Sequence, residues 1–325
     1  MSERRWHPML GEWVITATHR QDRTFLPPAD YCPLCPTSPG GFPTEVPEAD
    51  YRFVVFDNKF PSMRSPAPVP EVEGNVLHPI APADGHCEVV LYTPRHEGSL
   101  GALPIGDLVR LIRVWTDRYL ELGARPGIAC VFIFENRGEA IGVTIHHPHG
   151  QIYAFPFVPP KIERERDQAA AHFARTGRCL MCDIVADERT DGRRLVVEGE
   201  HFVAFIPFFA RYPYETYLVS KQHRASLADL TESEVTDLAR VLKDLLGRFD
   251  GLWQIPFPYM MVVHQAPVRT DEAPGDHLHF EFYPPMRTPQ KLKFLAGCES
   301  GAGTYINDTL PEVKAAELRS VRLEP

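Results

Sequence analysis

Thr144-Ile145-His146-His147-Pro148-His149-Gly150-Gln151-Ile152-Tyr153-Ala154 is the stretch around which the chain is organised. It places His147, His149 and Gln151 at alternate positions. Side chains two apart in an extended strand point to one face, so two imidazoles and a carboxamide line a common surface. Pro148 and Gly150 fall on the opposite side. Pro148 cannot donate a ladder hydrogen bond, which implies an edge position or an irregular strand. Gly150 leaves the backbone open to close approach by another group. Imidazole is nucleophilic and available uncharged near neutral pH. Its attack on phosphorus gives a phosphoramidate, a neighbouring carbonyl can fix the ring tautomer, and the Gln151 amide can donate to a phosphoryl oxygen. A lone His-x-His is more often a buried polar strand or a metal ligand pair; the whole string is more specific.

The 325 residues are 44% hydrophobic and 24% charged, ordinary globular material for one large domain or two. A net charge of -9 argues against a general nucleic-acid binder. No apolar run is long enough to span a bilayer, and the start lacks the apolar core of a signal peptide, so a cytoplasmic location is expected, with no membrane partner. Four of the seven cysteines form two Cys-x-x-Cys pairs, Cys32/Cys35 and Cys179/Cys182. In a reducing compartment such pairs are metal ligands more often than disulfides. The 32 prolines imply long ordered loops, mostly in the first hundred residues.

Periodicity outlines the remaining elements. Gly11 to Thr16 reads as a turn and strand, and Tyr51 to Phe56, His86 to Tyr92, Ile128 to Phe134 and Tyr259 to His264 read as strands. Ile105 to Leu122 is an amphipathic helix with Leu108, Leu111, Ile112, Trp115 and Leu120 near helical spacing. Thr231 to Glu234 reads as a capping box opening a helix with Val235, Leu238, Leu242 and Leu245 on one face. Pro311 to Arg319 reads as a terminal helix. Cys130, inside an apolar strand, is expected in the core.

From Cys179 the plan repeats. Cys179-Leu180-Met181-Cys182 answers Cys32-Pro33-Leu34-Cys35, Phe202 to Phe209 answers Phe53 to Phe60, and His277-Leu278-His279-Phe280-Glu281 answers the histidine string. Tyr217 to His223 answers Leu91 to His96. Two such units imply a duplication whose sheets join into one extended, mostly antiparallel sheet flanked by helices, an α+β fold. The division is expected at residues 1–165 and 166–325.

The His-Pro-His-Gly-Gln string closely resembles the signature of galactose-1-phosphate uridylyltransferases, a branch of the histidine triad superfamily. The resemblance covers nearly the whole chain, strongly at the first motif and loosely at the last segment. It implies that His149 carries the nucleotide monophosphate, with Gln151 where related hydrolases have a third histidine. It implies a closed Cys₂His₂ zinc site from Cys32, Cys35, His96 and His147, so that His147 is held by metal while its backbone carbonyl holds His149. Asn58 and Phe60 match a stretch lining the uridine pocket, and Asn136 and Thr144 match positions near the phosphates. Arg20 and Arg23 match paired arginines near phosphate or the partner chain. Lys293 and Glu299 match a segment at the hexose, where Cys298 departs from a common tyrosine. Cys179, Cys182, His223 and His277 repeat the ligand set, so a second zinc is expected. His279 takes the nucleophile position of the second unit, but Glu281 would repel phosphate there, and that half reads as structural. Some family members bind a second metal through a glutamate and three histidines; the corresponding positions are Glu165, His264, His279 and Glu281. The implied reaction is ping-pong transfer of UMP from UDP-glucose to galactose 1-phosphate, in a homodimer. The alternatives are a nucleotide-sugar phosphorylase or adenylyltransferase of the same superfamily, or a non-catalytic nucleotide-binding zinc protein.

Overall fold

The computed structural model describes residues 2–22, 27, 31–48, 50–269 and 275–323; Arg23 lies outside the described residues. The strands are β1 (Ser2–His7), β2 (Glu12–Ala17), β3 (Val54–Asp57), β4 (Ile80–Pro82), β5 (His86–Leu91), β6 (Cys130–Arg137), β7 (His149–Phe155), β8 (Leu195–Glu198), β9 (Phe202–Phe205), β10 (Thr216–Ser220), β11 (Tyr259–His264), β12 (His279–Tyr283), β13 (Met286–Thr288) and β14 (Lys291–Leu292). The helices are α1 (Ile105–Ala124), α2 (Pro160–Thr176), α3 (Leu180–Asp191), α4 (Glu232–Trp253) and α5 (Pro311–Ser320).

Among the described residues, nine strands form one antiparallel sheet in the order β3-β5-β7-β6-β11-β12-β10-β9-β8. A single row of cross-strand partners shows the duplication. It runs Phe56, Val89, Gln151, Phe134, Val262, Glu281, Tyr217, Phe205. If Gln151 corresponds to Glu281, then Phe134 corresponds to Val262, and these two pair with each other. A pseudo-two-fold axis therefore crosses the sheet between β6 and β11. The same register aligns Val54 and Val55 with Val203 and Ala204, the alignment expected from the sequence.

The alternation of these strands sorts their residues onto two faces. Val90, Ile133, Ile152, Val263, Phe280 and Leu218 point toward α1 and α4 and share one core with Leu108, Leu111, Ile112, Trp115, Leu238, Leu242 and Leu245. Burying each large side chain there contributes roughly 1.5–3 kcal/mol. Leu120 differs from expectation: it is 55% exposed, on the solvent side of α1. The opposite face carries Val89 and Leu91 against the Cys32–Cys35 loop, and Val203, Phe205, Tyr217 and Val219 against α3. Both histidine rows therefore open on the face away from α1 and α4.

The capping box forms as read, with the Thr231 side chain accepting from the Glu234 amide and the Glu234 side chain accepting in return. Helix α2 is not announced by periodicity. Only Ile162 and Ala169 are buried along it, so its pattern is polar almost all round. The edge expectation for Pro148 is corrected. Strand β7 lies between β5 and β6, and Pro148 is tolerated because the strand begins one residue later, at His149. Its carbonyl accepts from the Tyr92 amide, a role that needs no donor.

Gly150 needs space. A Cβ at this position would lie 2.1 Å from the Tyr92 hydroxyl and 3.3 Å from the Phe134 carbonyl oxygen. The group that approaches the backbone here is thus a buried tyrosine of the adjacent strand's end. Gly150→Ala should cost about 1–3 kcal/mol by overpacking, measured by denaturant unfolding. Tyr92→Phe, which removes the nearest atom, should recover part of that loss; an unchanged midpoint for Gly150→Ala would contradict the packing.

Candidate active site

The site is assembled from the loop before β7 outward. The His149 Nδ1 lies 2.8 Å from the His147 carbonyl oxygen, so Nδ1–H donates and Nε2 keeps its lone pair. Desolvation lowers the His149 pKa, opposed in part by that bond, and the ring stays neutral near neutral pH. His149 lies where two cavities meet, of about 420 and 180 Å³. The smaller one brings together Asn58, Phe60, Asn136, Thr144, His149 and Gln151, six residues that the sequence assigned to one site. Lys59 lines the same cavity and pairs with Glu45 at 2.7 Å.

His147 is buried and held at both ring nitrogens. Its Nε2 donates to the Thr93 carbonyl at 2.8 Å, with the Tyr51 hydroxyl 3.2 Å away, and Tyr51 in turn donates to Thr93 at 2.7 Å. Its Nδ1 faces the Cys35 sulfur at 3.5 Å. The ligand atoms of Cys32, Cys35, His96 and His147 all lie within 4.8 Å of one another. Desolvation holds the His147 pKa down to about 4, so it offers a neutral nitrogen. Burial and the neighbouring Cys32 push the Cys35 thiol up to about 12, so two thiolates coexist here only with a cation between them. An outer bond from the far nitrogen of a histidine to a carbonyl is the usual support of a metal ligand. The donor set therefore fits a divalent metal.

The second unit repeats this geometry. Cys179, Cys182, His223 and His277 likewise converge within 4.8 Å. His277 Nδ1 is 3.5 Å from both sulfurs, and its Nε2 is 2.9 Å from the Ser220 carbonyl oxygen. His279 Nδ1 donates to the His277 carbonyl at 2.8 Å, the counterpart of the His149 bond.

Beyond that bond the second unit differs. Tyr217 stacks on His279 with ring centroids 5.7 Å apart. Glu165 accepts from His264 Nδ1 at 2.6 Å, and His279 Nε2 is 3.6 Å from Glu281. The Lys161 ammonium contacts Glu281 and the Tyr283 hydroxyl, and lies 3.4 Å from Glu165. Burial opposes ionisation of Glu281, but His264, His279 and Lys161 outweigh it and hold the carboxyl well below the usual range. The ligand atoms of Glu165, His264 and His279 lie within 4.8 Å of one another and could hold a metal, while Lys161 ion-pairs with Glu165 and Glu281 at its edge.

Two assigned residues lie elsewhere. Lys293 is buried, donates to Glu299 at 3.2 Å and also bonds the Ile306 carbonyl; neither Lys293 nor Glu299 lines the cavities at His149. Arg20 reaches the site through Phe60, whose carbonyl accepts from it at 2.9 Å, and through the Tyr153 hydroxyl at 3.3 Å. Tyr153 and Glu135 were missed by the sequence reading. Continuing the alternation past Gln151 would have found Tyr153.

With this geometry in place, likeness to known proteins is decisive. Residues 1–159 match the galactose-1-phosphate uridyl transferase N-terminal domain, and residues 165–324 match its C-terminal domain. The chain belongs to the galactose-1-phosphate uridylyltransferase family. A galactose-1-phosphate uridylyltransferase of Thermotoga maritima is 37% identical over 326 residues, covering 100% of both chains. One of Streptomyces lividans is 37% identical over 98% of this chain and 87% of its own. A solved uridylyltransferase structure superposes with a TM-score of 0.87 at 35% identity, covering 98% of this chain and 97% of that one. An ADP-glucose phosphorylase from Arabidopsis thaliana, at 24% identity, TM-score 0.74 and full coverage of both chains, shares the fold.

In this uridylyltransferase-family site, Glu135 sits beside Asn136 and accepts from the Tyr259 hydroxyl at 3.1 Å. Burial pushes its carboxyl up to about 7, against the smaller opposing effects of Arg137, Tyr259 and Tyr92. Between the unfolded value near 4.5 and about 7 the folded state alone keeps the proton, so stability falls as pH rises through that window. Glu135→Gln should be neutral in stability at pH 4 and gain on the order of 3 kcal/mol over the wild type at pH 8. Denaturant unfolding at the two pH values checks this; equal differences at both would show that Glu135 is ionised in the fold.

Proposed function

We propose that the chain transfers UMP from UDP-glucose to galactose 1-phosphate through a uridylyl group carried on His149. One observation carries the reading: a desolvated, neutral imidazole locked by its Nδ1 to a carbonyl, in a cavity shared with Gln151, Asn136, Thr144, Asn58 and Phe60. Full-length relatives named for this activity support the choice of substrates.

In the first half-reaction the His149 Nε2 lone pair attacks the α-phosphorus of UDP-glucose. The Nε2–P bond forms, the bond from phosphorus to the bridging oxygen breaks, and glucose 1-phosphate leaves with the electron pair. Nδ1–H stays on the His147 carbonyl, which stabilises the positive charge on the substituted ring. Gln151 and Asn136 donate to the phosphoryl oxygens. In the second half-reaction an oxygen of galactose 1-phosphate attacks the same phosphorus. The Nε2–P bond breaks, UDP-galactose departs, and neutral imidazole returns. Asn58 and Phe60 form the base side of the pocket.

Zinc is the metal assigned to Cys32, Cys35, His96 and His147, and to Cys179, Cys182, His223 and His277. It would supply structural clamping of the Cys loops to the two histidine rows, as expected of closed Cys₂His₂ sites. The cluster around Glu165 and Glu281 is assigned no metal. The boundary between the two units is placed at residues 165 and 166, in α2. Lys293 and Glu299 are assigned to the hexose side, reached from a second copy in a homodimer. Exposed Phe208, Phe294 and Leu310 are suited to such an interface. No described helix is long and apolar enough to cross a membrane.

Incubation with UDP-glucose labelled in the uridine should label the protein. His149→Ala should abolish the adduct and lower turnover by on the order of 10⁴-fold or more, whereas His279→Ala should keep the adduct. Galactose 1-phosphate should discharge the label as UDP-galactose; discharge by inorganic phosphate alone would favour a phosphorylase, and no adduct from any nucleotide sugar would favour a binding module.

Metal analysis should return about two equivalents of zinc. Cys32→Ser with Cys35→Ser should lose about one equivalent and most of the activity. Cys179→Ser with Cys182→Ser should lose the other and chiefly stability. A third equivalent, lost on His264→Ala, would overturn the assignment of no metal to the cluster around Glu165 and Glu281.

A further inference from the structure

We infer that Tyr153 is a positioning residue that decides which end of the Gln151 carboxamide faces the phosphoryl group, and that Arg20 sets the direction of the Tyr153 hydroxyl. The inference rests on the proposed uridylyl transfer and assigns it a specificity of orientation within the same site.

A carboxamide has two ends of nearly equal size, one a donor and one an acceptor. With the nitrogen inward, Gln151 donates to a phosphoryl oxygen. With the oxygen inward, it opposes two lone pairs. Shape alone does not choose between them, so a partner of fixed polarity must. Tyr153 is that partner. It lies two residues along β7 from Gln151, on the same face of the sheet, and its hydroxyl is 3.4 Å from Gln151 Oε1. A hydroxyl can both donate and accept, so by itself it would tolerate either end.

Arg20 removes that freedom. A guanidinium only donates. Its Nη1 lies 2.9 Å from the Phe60 carbonyl oxygen and 3.3 Å from the Tyr153 hydroxyl oxygen. The tyrosine oxygen therefore accepts from Arg20 and turns its own proton outward. The acceptor waiting for that proton is Gln151 Oε1, and the Gln151 nitrogen is left for the cavity. The polarity runs one way, from cation to hydroxyl to carbonyl, and ends in a donor beside His149.

The same bonds tie the nucleotide wall to the phosphoryl donor. Phe60, held by Arg20 at its carbonyl, donates its amide N–H to the Asn58 side-chain oxygen at 2.9 Å, and both residues line the cavity with Gln151. The tyrosine ring is fixed independently of its hydroxyl. It packs edge-on against Phe134 with centroids 5.0 Å apart and against Phe155 at 6.0 Å. The second unit supports the pattern. Tyr283 occupies the corresponding place two residues past Glu281, and its hydroxyl also accepts from a cation, Arg211, at 3.1 Å. There the neighbouring side chain is a carboxylate, which has no donor end to orient.

Tyr153→Phe keeps the ring and removes the relay, so it separates orientation from packing. Uridylylation should slow by about tenfold, the worth of one hydrogen bond to a developing charge. KM for UDP-glucose should stay within about twofold, because the oriented donor acts chiefly in the transition state, and the melting temperature should fall only slightly, by the worth of the two long hydrogen bonds lost in the fold. In the Gln151→Ala background the same change should cost nothing further. A cost of equal factor in both backgrounds would overturn the inference. A second readout needs no turnover. In protein labelled with ¹³C at the glutamine carboxamide carbon, the Gln151 resonance, assigned by its loss in Gln151→Met, should shift upfield in Tyr153→Phe as its hydrogen bond is removed. An unmoved resonance would also overturn it. Should the wild-type protein form no adduct, the proposed function fails, while the carboxamide resonance still decides the orientation of Gln151.

Discussion

The hydrogen bond from His149 Nδ1 to the His147 carbonyl, 2.8 Å long, is the constraint on which the site depends. It selects one tautomer and aims one nitrogen, and it does so only while the carbonyl stays still. Stillness comes from the His147 side chain. One ring nitrogen is spent on Thr93, with Tyr51 closing the triangle, and the other faces the Cys35 sulfur. The Cys32–Cys35 loop is otherwise anchored by a small apolar cluster with Val46, Val89 and Leu91. A loop of little regular structure thereby reaches the backbone of the residue that orients His149, the proposed nucleophile. The order runs from soft ligands, to a ring, to a carbonyl, to a second ring.

Under the proposed function, the duplicated unit illustrates why this bond alone does not suffice. His279 makes the same 2.8 Å contact with His277, above a matching ligand set. The difference lies in the row beside it. Gln151 and Val89 of the first unit correspond to Glu281 and Tyr217 of the second, so the sheet register corrects the expected match of Tyr217 with Leu91, whose counterpart is Val219. Tyr217 stacks on the histidine ring, and Glu281 turns a donor position into a charge that pairs with Lys161. Both histidines line cavities, but the one at His149 holds a carboxamide beside the ring, whereas the one of about 520 Å³ at His279 holds an ion-paired cluster. Two cross-strand neighbours account for the divergence without any change in strand order.

Much of this was legible in the chain because it is local. Alternation of His147, His149 and Gln151 is a property of consecutive residues, and so are the Cys-x-x-Cys pairs and the Thr231–Glu234 box. The six cavity residues came from motif resemblance, and the sheet register brings them together. What stayed hidden depends on distant partners. Lys161 was unremarkable because its carboxylate, Glu281, is 120 residues away. Helix α2 gave no periodic signal because nearly all of it faces solvent or charged neighbours. Pro148 suggested an edge because a proline is normally excluded from an interior strand, and here it escapes by preceding the strand. Lys293 and Glu299 were read as hexose contacts, and their bond to each other within the chain could not be read from that segment.

The absence of an acid or base at Gln151 has a consequence for selectivity under the proposed chemistry. Water attacking a phosphorylated imidazole must shed a proton in the transition state and gains from a nearby base. A phosphate monoester oxygen is already anionic near neutral pH and needs none. Donation from Gln151 and Asn136 to the phosphoryl oxygens therefore favours both half-reactions of sugar-phosphate exchange, and Gln151 itself gives water no assistance. The neutral, desolvated state of His149 serves the same end, because the attacking nitrogen needs no deprotonation and no second titrating group beside it. Orientation of one carboxamide then matters more than its modest hydrogen-bond strength suggests. It is what keeps the residue beside the nucleophile a donor, and hence the site selective for an acceptor that arrives with its charge already in place.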